Sequence, residues 1–80
     1  MRHATAASAA VDVPEEFGAT VRRLRDAAGW SQMQLGQRCD MDLSAISRLE
    51  RGQRDPQLTT IVRIARAFGV SPSELLRDIR

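Results

Sequence analysis

Residues 43–54 combine arginine and serine in a pattern suited to binding a polyanion. The segment contains three arginines and one glutamate, with Ser44 and Ser47 among them. A guanidinium can donate paired hydrogen bonds to a phosphate or to O6 and N7 of guanine, and a serine hydroxyl can bond to base edges or phosphates. These residue types point to nucleic-acid binding. The alternative is that the arginines only form a solvated helix face.

Catalysis and metal binding lack the residues that they need. The chain has one histidine, His3, and one cysteine, Cys39. No Ser/His/Asp set, intrachain disulfide or His/Cys metal site can be assembled from them, and there is no Gly-rich phosphate loop. We therefore expect no enzyme activity, metal or cofactor. The spacing of Cys39 is that of a small core residue, and a redox switch is the alternative.

The length and charge of the chain limit the kind of protein to which these residues belong. The chain has 80 residues and a formal net charge of +2, and its 12 basic residues are all arginine. One domain of this size buries about 60% of its unfolded surface, so we expect a second copy of the chain to add stability. No segment has the roughly 20 apolar residues of a membrane span, and we expect a cytoplasmic protein.

The first residues differ in composition from the rest. Residues 1–13 are rich in alanine, and we predict a disordered tail there, followed by one folded domain over residues 14–80. The alternative for the tail is an arm that contacts a DNA groove through Arg2.

Helix caps and apolar spacing predict five helices and an all-α fold. Pro14 suits the start of the first helix and Gly29 its end, while Ser31, Asp42 and Ser71 are placed to cap later helices. The inward positions predicted for the first four helices are, in chain order, Phe17, Val21, Leu24 and Ala28; Leu35 and Cys39; Ile46 and Leu49; and Leu58, Ile61, Ile64, Ala65 and Phe68. The last helix carries Leu75, Leu76 and Ile79, which we expect to be partly core.

The second and third helices are short and joined by a tight turn. Such a pair is typical of a helix-turn-helix, in which the second helix enters the DNA major groove while the first crosses the backbone. With Ile46 and Leu49 facing inward, the outward residues of the third helix are Leu43, Ser44, Ser47, Arg48 and Arg51.

Several segments together resemble a known family. They are Ser31-Gln32, Leu35, residues 46–52 (ISRLERG), Pro56 and residues 64–71 (IARAFGVS). The chain resembles the Cro and phage-repressor type of helix-turn-helix protein, also called the xenobiotic-response-element family, over residues 17–76. Its short N-terminal extension also resembles that of restriction-modification controller proteins. The resemblance implies a compact, lambda-repressor-like domain of five helices that binds operators as a dimer and regulates transcription.

The family pattern implies roles for individual residues. Leu43, Ser44 and Arg48 would contact base edges, with Ser47 on the same face, and Arg48 would pair with guanine. Leu43 occupies a position where many members carry a polar residue, so contact with a thymine methyl group would replace a hydrogen bond there. The implied phosphate contacts come from Gln32, Arg51, Gln53 and Arg54.

The same pattern implies structural roles. Arg25 would form an ion pair with Glu50. Gly36 replaces the usual alanine and Asp40 the usual turn glycine, and we expect both replacements to loosen the motif. We interpret Trp30 as a buried anchor between the first and second helices, with stacking on a base as the alternative.

The last helix has more apolar residues than one face can bury. We expect some of them to form a dimer seam, as in the family, and the alternative is a frayed last turn. The residues of the predicted seam are Val70, Leu75, Leu76 and Ile79.

These features predict a homodimeric regulator that binds double-stranded DNA. Its two reading helices would lie about 34 Å apart and address the half-sites of a palindromic operator. It would be nucleoid-associated when bound and would act by covering a promoter or by contacting RNA polymerase. The alternative is an antitoxin whose main partner is a toxin, with DNA autoregulation secondary.

Overall fold

A computed structural model describes residues 12–79. Within that range the chain forms five α-helices and no strand: α1 (Val13–Ala28), α2 (Gln32–Cys39), α3 (Leu43–Glu50), α4 (Leu58–Phe68) and α5 (Pro72–Leu76). The prediction of an all-α fold is confirmed. None of these helices is long and apolar enough to cross a membrane.

The start of α1 lies one residue earlier than predicted. The Asp12 carboxylate accepts a hydrogen bond from the Glu15 amide at 3.1 Å, and this cap places Val13 inside the helix rather than in a tail. The remainder of the predicted tail, including the proposed Arg2 arm, lies outside the described residues.

Short-range signals end and begin the other helices as expected. Ser31 and Ser71 form capping boxes with Gln34 and Glu74. Asp40 occupies the left-handed region with φ of 59° and closes α2, which is the conformation that a turn glycine would otherwise provide.

Each helix packs against its neighbours around one core. α1 contacts α3 and α5, α2 contacts α3 and α4, and α4 contacts α5. The buried core residues are Phe17, Val21, Leu35, Cys39, Ile46, Leu49, Ile64, Ala65 and Leu75. Burial raises the pKa of the Cys39 thiol, and its sulfur donates to the Leu35 carbonyl, as suits a small core residue.

Two residues predicted to face inward are exposed. Ala28 ends α1, whose buried residues all lie between Phe17 and Val21. Leu58 begins α4 and is 73% exposed, because a helical side chain tilts toward the N-terminus and so extends past the packed turns. In the last helix, which we expected to be only partly core, Leu75 fills the core and Leu76 is exposed.

Gly36 has a different effect from the expected loosening. A Cβ atom added at this position would collide with the carbonyl oxygen of Met41. The Met41 amide donates to the Gly36 carbonyl at 2.8 Å, so the chain turns back tightly over the end of α2. Glycine therefore permits the close turn between α2 and α3.

Trp30 anchors the start of α2 to α4, because its ring packs on Phe68 of α4, whereas we predicted an anchor between α1 and α2. Its ring is stacked on Phe68 with centroids 5.3 Å apart and an interplanar angle of 9°. The Arg38 guanidinium lies over the same ring, 4.2 Å from its centroid. With its faces occupied in this way, the indole serves packing rather than stacking on a base.

α1 and α3 approach each other closely at Gly18, a position that no sequence pattern marked. A Cβ atom added there would lie 2.7 Å from the Glu50 carbonyl oxygen and 2.9 Å from the Glu50 carbonyl carbon, and would also collide with the Leu49 carbonyl oxygen. The backbone of α1 therefore touches the end of α3.

We expect Gly18→Ala to lower the free energy of unfolding by about 1–3 kcal/mol, because the methyl group forces the two backbones apart. The matched control is the opposite change at the exposed neighbour, Ala19→Gly, which should cost about 0.5–1 kcal/mol through helix propensity alone. Urea unfolding followed by Trp30 fluorescence measures both. A Gly18→Ala protein as stable as the parent would contradict the close crossing.

Candidate nucleic-acid interface

The third helix separates into a buried side and an outward side. Ala45, Ile46, Leu49 and Glu50 are buried. The residues predicted to read DNA lie opposite: Leu43 is 48% exposed, Ser44, Arg48 and Arg51 are exposed, and Ser47 is half-buried. The structure therefore brings the predicted reading residues together on one face, with side chains that can reach base edges and phosphates.

The outward face begins at a compact cap. One carboxylate oxygen of Asp42 accepts hydrogen bonds from the Ala45 amide at 2.8 Å and from the Ser44 hydroxyl at 3.0 Å. The Ala45 amide, followed by the Ser44 hydroxyl, lowers the pKa of Asp42, and the nearby charges of Arg48 and Arg54 act in the same direction. The Asp42 carboxylate is therefore ionised at neutral pH.

A bidentate ion pair fixes this helix to α1. Arg25 Nε donates to Glu50 Oε2 at 2.6 Å, and Arg25 Nη2 donates to Glu50 Oε1 at 3.0 Å. The two side chains are only 12% and 3% exposed. The hydrogen bond with Glu50 is the main cause of the raised pKa of Arg25. Arg25 Nη1 also donates to the Trp30 carbonyl at 2.8 Å, which ties the turn before α2 to the same point.

Gln32 joins this network. Its side-chain amide donates to Glu50 Oε1 at 3.0 Å, and the residue is half-buried at the start of α2. One of its two side-chain N–H groups is thus used inside the protein. The predicted phosphate contact rests on the other N–H group and on the backbone amides of the first turn of α2.

The loop after α3 is held against the start of α1. Gly52 has φ of 74°, and a Cβ atom there would lie 2.7 Å from Cα of Glu15. Arg51 Nε donates to the Ser47 carbonyl at 3.3 Å. Arg51, Gln53 and Arg54 are all exposed, so the three predicted phosphate-binding residues beyond α3 lie on the surface.

Ion pairs divide the arginines of residues 12–79 into two groups. Those on α1 and after α5 pair with carboxylates: Arg22 with Asp26, Arg23 with Asp78, Arg25 with Glu50 and Asp26, and Arg77 with Glu74. No ion pair within that range involves Arg38, Arg48, Arg51, Arg54, Arg63 or Arg66. Three of these arginines, Arg48, Arg51 and Arg54, are exposed on the outward face of α3 or in the loop after it.

The predicted dimer seam requires one correction. Leu75 is completely buried inside the protomer, because it fills the space between α5 and the core, and its side chain cannot line a seam. Val70 and Ile79 are half-buried, and Leu76 is 37% exposed.

Two contacts of the interface were missed in the sequence. The Asp42–Ser44 hydrogen bond was signalled by a helix cap followed two residues later by a serine, a spacing at which the side chains can meet. The Gln32–Glu50 contact joins residues 18 positions apart, and no local pattern marks it.

We expect Glu50→Gln to lower the free energy of unfolding by about 3–5 kcal/mol, because it leaves the Arg25 guanidinium buried without its charged partner. Asp26→Asn is the matched control, since Asp26 also pairs with Arg25 but is 62% exposed, and it should cost less than about 1 kcal/mol. Chemical unfolding of both variants gives the comparison. Equal losses would show that the buried pair holds no special role.

Comparisons with known proteins agree with this arrangement. The family model described as a helix-turn-helix domain matches residues 16–77. The chain is 41% identical over 61 residues to the control protein C.BamHI of Bacillus amyloliquefaciens, covering 75% of each chain. It is 30% identical over 69 residues to the control protein C.MunI of a Mycoplasma species, covering 85% of this chain and 93% of the relative.

A solved structure shows the same fold. The restriction-modification controller protein C.AhdI from Aeromonas hydrophila aligns with a TM-score of 0.75 and 39% identity, over 78% of this chain and 94% of that chain. The predicted resemblance to controller proteins is therefore confirmed. With two capped short helices, an outward basic face and a matching family model over most of its length, the chain belongs to the helix-turn-helix family of DNA-binding regulators.

Proposed function

We propose that the protein is a sequence-specific transcriptional regulator that binds a palindromic operator as a homodimer, with α3 in the major groove. The outward face of α3 is the observation that carries this proposal. It combines Arg48 and Arg51, which have no ion-pair partner among residues 12–79, with small polar side chains. Arg48 would read guanine, and Arg51 would contact phosphate.

The apolar surface beside α5 supports the proposed homodimer. Val70, Leu76 and Ile79 present apolar atoms there after Leu75 has been used by the core. Burying these side chains against a second copy would add apolar contact to a small domain. Two copies related by a twofold axis would place their α3 helices about 34 Å apart, one turn of DNA.

The similarity to control proteins suggests which genes the protein regulates. We propose that this chain, like proteins of that name, regulates genes of a restriction-modification system in the cytoplasm. It would repress by covering a promoter or activate by contact with RNA polymerase, without catalytic activity of its own.

Arg48→Ala and Arg51→Ala should change DNA binding in different ways. Arg48→Ala should relax specificity at one base pair in each half-site, with a loss of about 1–3 kcal/mol on the preferred operator. Arg51→Ala should weaken binding to all sequences and reduce the slope of log K against log salt by about one. Titrations on a panel of single-base operator variants, repeated at several salt concentrations, separate the two effects.

The operator for that panel comes from selection of bound sequences from a random DNA pool. The selection also tests the proposal itself, because a homodimer should yield two inverted half-sites about one helical turn apart. No enriched sequence would refute sequence-specific binding. A uniform loss from Arg48→Ala would refute its role as a base reader.

Leu76→Asp should convert the dimer to a monomer, because a carboxylate in the seam would have to be desolvated. Sedimentation at micromolar concentration measures the change. Met33→Asp is the matched control, since Met33 is an exposed apolar residue on α2, away from α5, and it should leave the dimer intact. A Leu76→Asp protein that still sediments as a dimer would exclude this seam.

A further inference from the structure

We infer that Ser44 acts in the major groove as a hydrogen-bond acceptor, so that it selects the exocyclic amino group of adenine or cytosine. This inference rests on the proposed function and specifies one of its contacts. Serine is ordinarily an ambiguous reader, because its hydroxyl can donate to a base or accept from one. At this position the surrounding contacts remove that ambiguity.

The ambiguity is removed by Asp42. The Ser44 hydroxyl lies 3.0 Å from Asp42 Oδ1. An ionised carboxylate has no proton to give, so the hydroxyl must be the donor in this contact. A serine has one hydroxyl proton, and here it points back toward the helix cap. What Ser44 presents to solvent is its oxygen lone pairs.

The carboxylate is itself firmly held in its charged form. The same Oδ1 atom accepts from the Ala45 amide at 2.8 Å at the N-terminus of α3, where the helix dipole favours negative charge. Arg48 and Arg54 add favourable charge nearby, and together these groups lower the pKa of Asp42. The hydrogen bond from the Ala45 amide belongs to the helix itself, so it favours the ionised carboxylate whether or not DNA is bound.

In the major groove, adenine offers N6 and cytosine offers N4 as donors, whereas guanine and thymine offer acceptor oxygens at the corresponding edge. An oxygen that can only accept forms a bond with the amino groups and faces repulsion from the oxygens. Ser44 is exposed on the outward side of α3 beside Arg48. Ser44 would accept a hydrogen bond from a base, and Arg48 would donate hydrogen bonds to a base.

Each base pair carries one amino and one keto group in the major groove, so base preference alone cannot reveal which group is contacted. The test therefore deletes the groups one at a time. Selection with the parent protein and with Ser44→Ala first identifies the base pair at which the variant loses preference. Two modified operators are then made at that pair: in one the exocyclic amino group is replaced by hydrogen, and in the other the keto oxygen is removed.

Affinities of both proteins for the natural and the modified operators form a double-mutant cycle. Ser44→Ala should weaken binding to the natural operator by about 2- to 10-fold. It should have almost no further effect once the amino group is gone, and its full effect when only the keto oxygen is gone. Coupling to the keto oxygen, or to neither group, would overturn the inference while leaving the DNA-binding function intact. Failure of the parent protein to select any sequence would instead refute both.

Variants at Asp42 test whether this residue makes the Ser44 hydroxyl an acceptor. Asp42→Asn keeps an oxygen at Oδ1 and a good helix cap, so the coupling to the amino group should persist. Asp42→Gly removes the acceptor at little cost to the cap, so the hydroxyl becomes able to donate and the coupling should fall at least twofold. Unchanged coupling in Asp42→Gly would show that Asp42 does not set the polarity of Ser44.

Discussion

Burying a guanidinium and a carboxylate together commits α1 and α3 to one relative position. Arg25 and Glu50 are desolvated, and each satisfies the other through two hydrogen bonds. A buried charge without a partner is very unfavourable, so any displacement of α3 that separates the pair is strongly opposed. Gln32 and the Trp30 carbonyl bond to the same two side chains. One small polar cluster inside an otherwise apolar core therefore fixes α1, α2 and α3 to one another.

Close backbone contacts add to the ion pair in fixing the position of α3. At Gly18 the backbone of α1 meets the last residues of α3, and at Gly36 the turn folds back onto α2. Both approaches are possible only because a side chain is missing, and both involve residues of the α2–α3 pair. Ionic attraction sets the direction of α3, and these steric limits set how closely it sits. A reading helix of eight residues can be rigid on this basis without being long.

Sequence patterns predicted the helices and the outward face of α3, because caps and apolar spacing are local signals that act within one or two turns. They did not predict which turns a neighbouring helix covers. For that reason Ala28 and Leu58 were placed inward and proved exposed, and Leu75 was assigned to a seam although it is buried. Gly36 was misjudged because helix propensity considers one helix alone, whereas its effect depends on the carbonyl that approaches from the next turn.

The two sides of α3 are almost independent of each other. Ala45, Ile46, Leu49 and Glu50 are buried in the interior, and the other four residues of the helix lie on its outward side. Surface substitutions away from caps and close contacts change stability by only about 0.5 kcal/mol. A lineage of such proteins can therefore acquire new operators through outward changes in α3 without first gaining spare stability. The operator sequence that such a protein binds can therefore change with little loss of folding stability, while the fold stays the same.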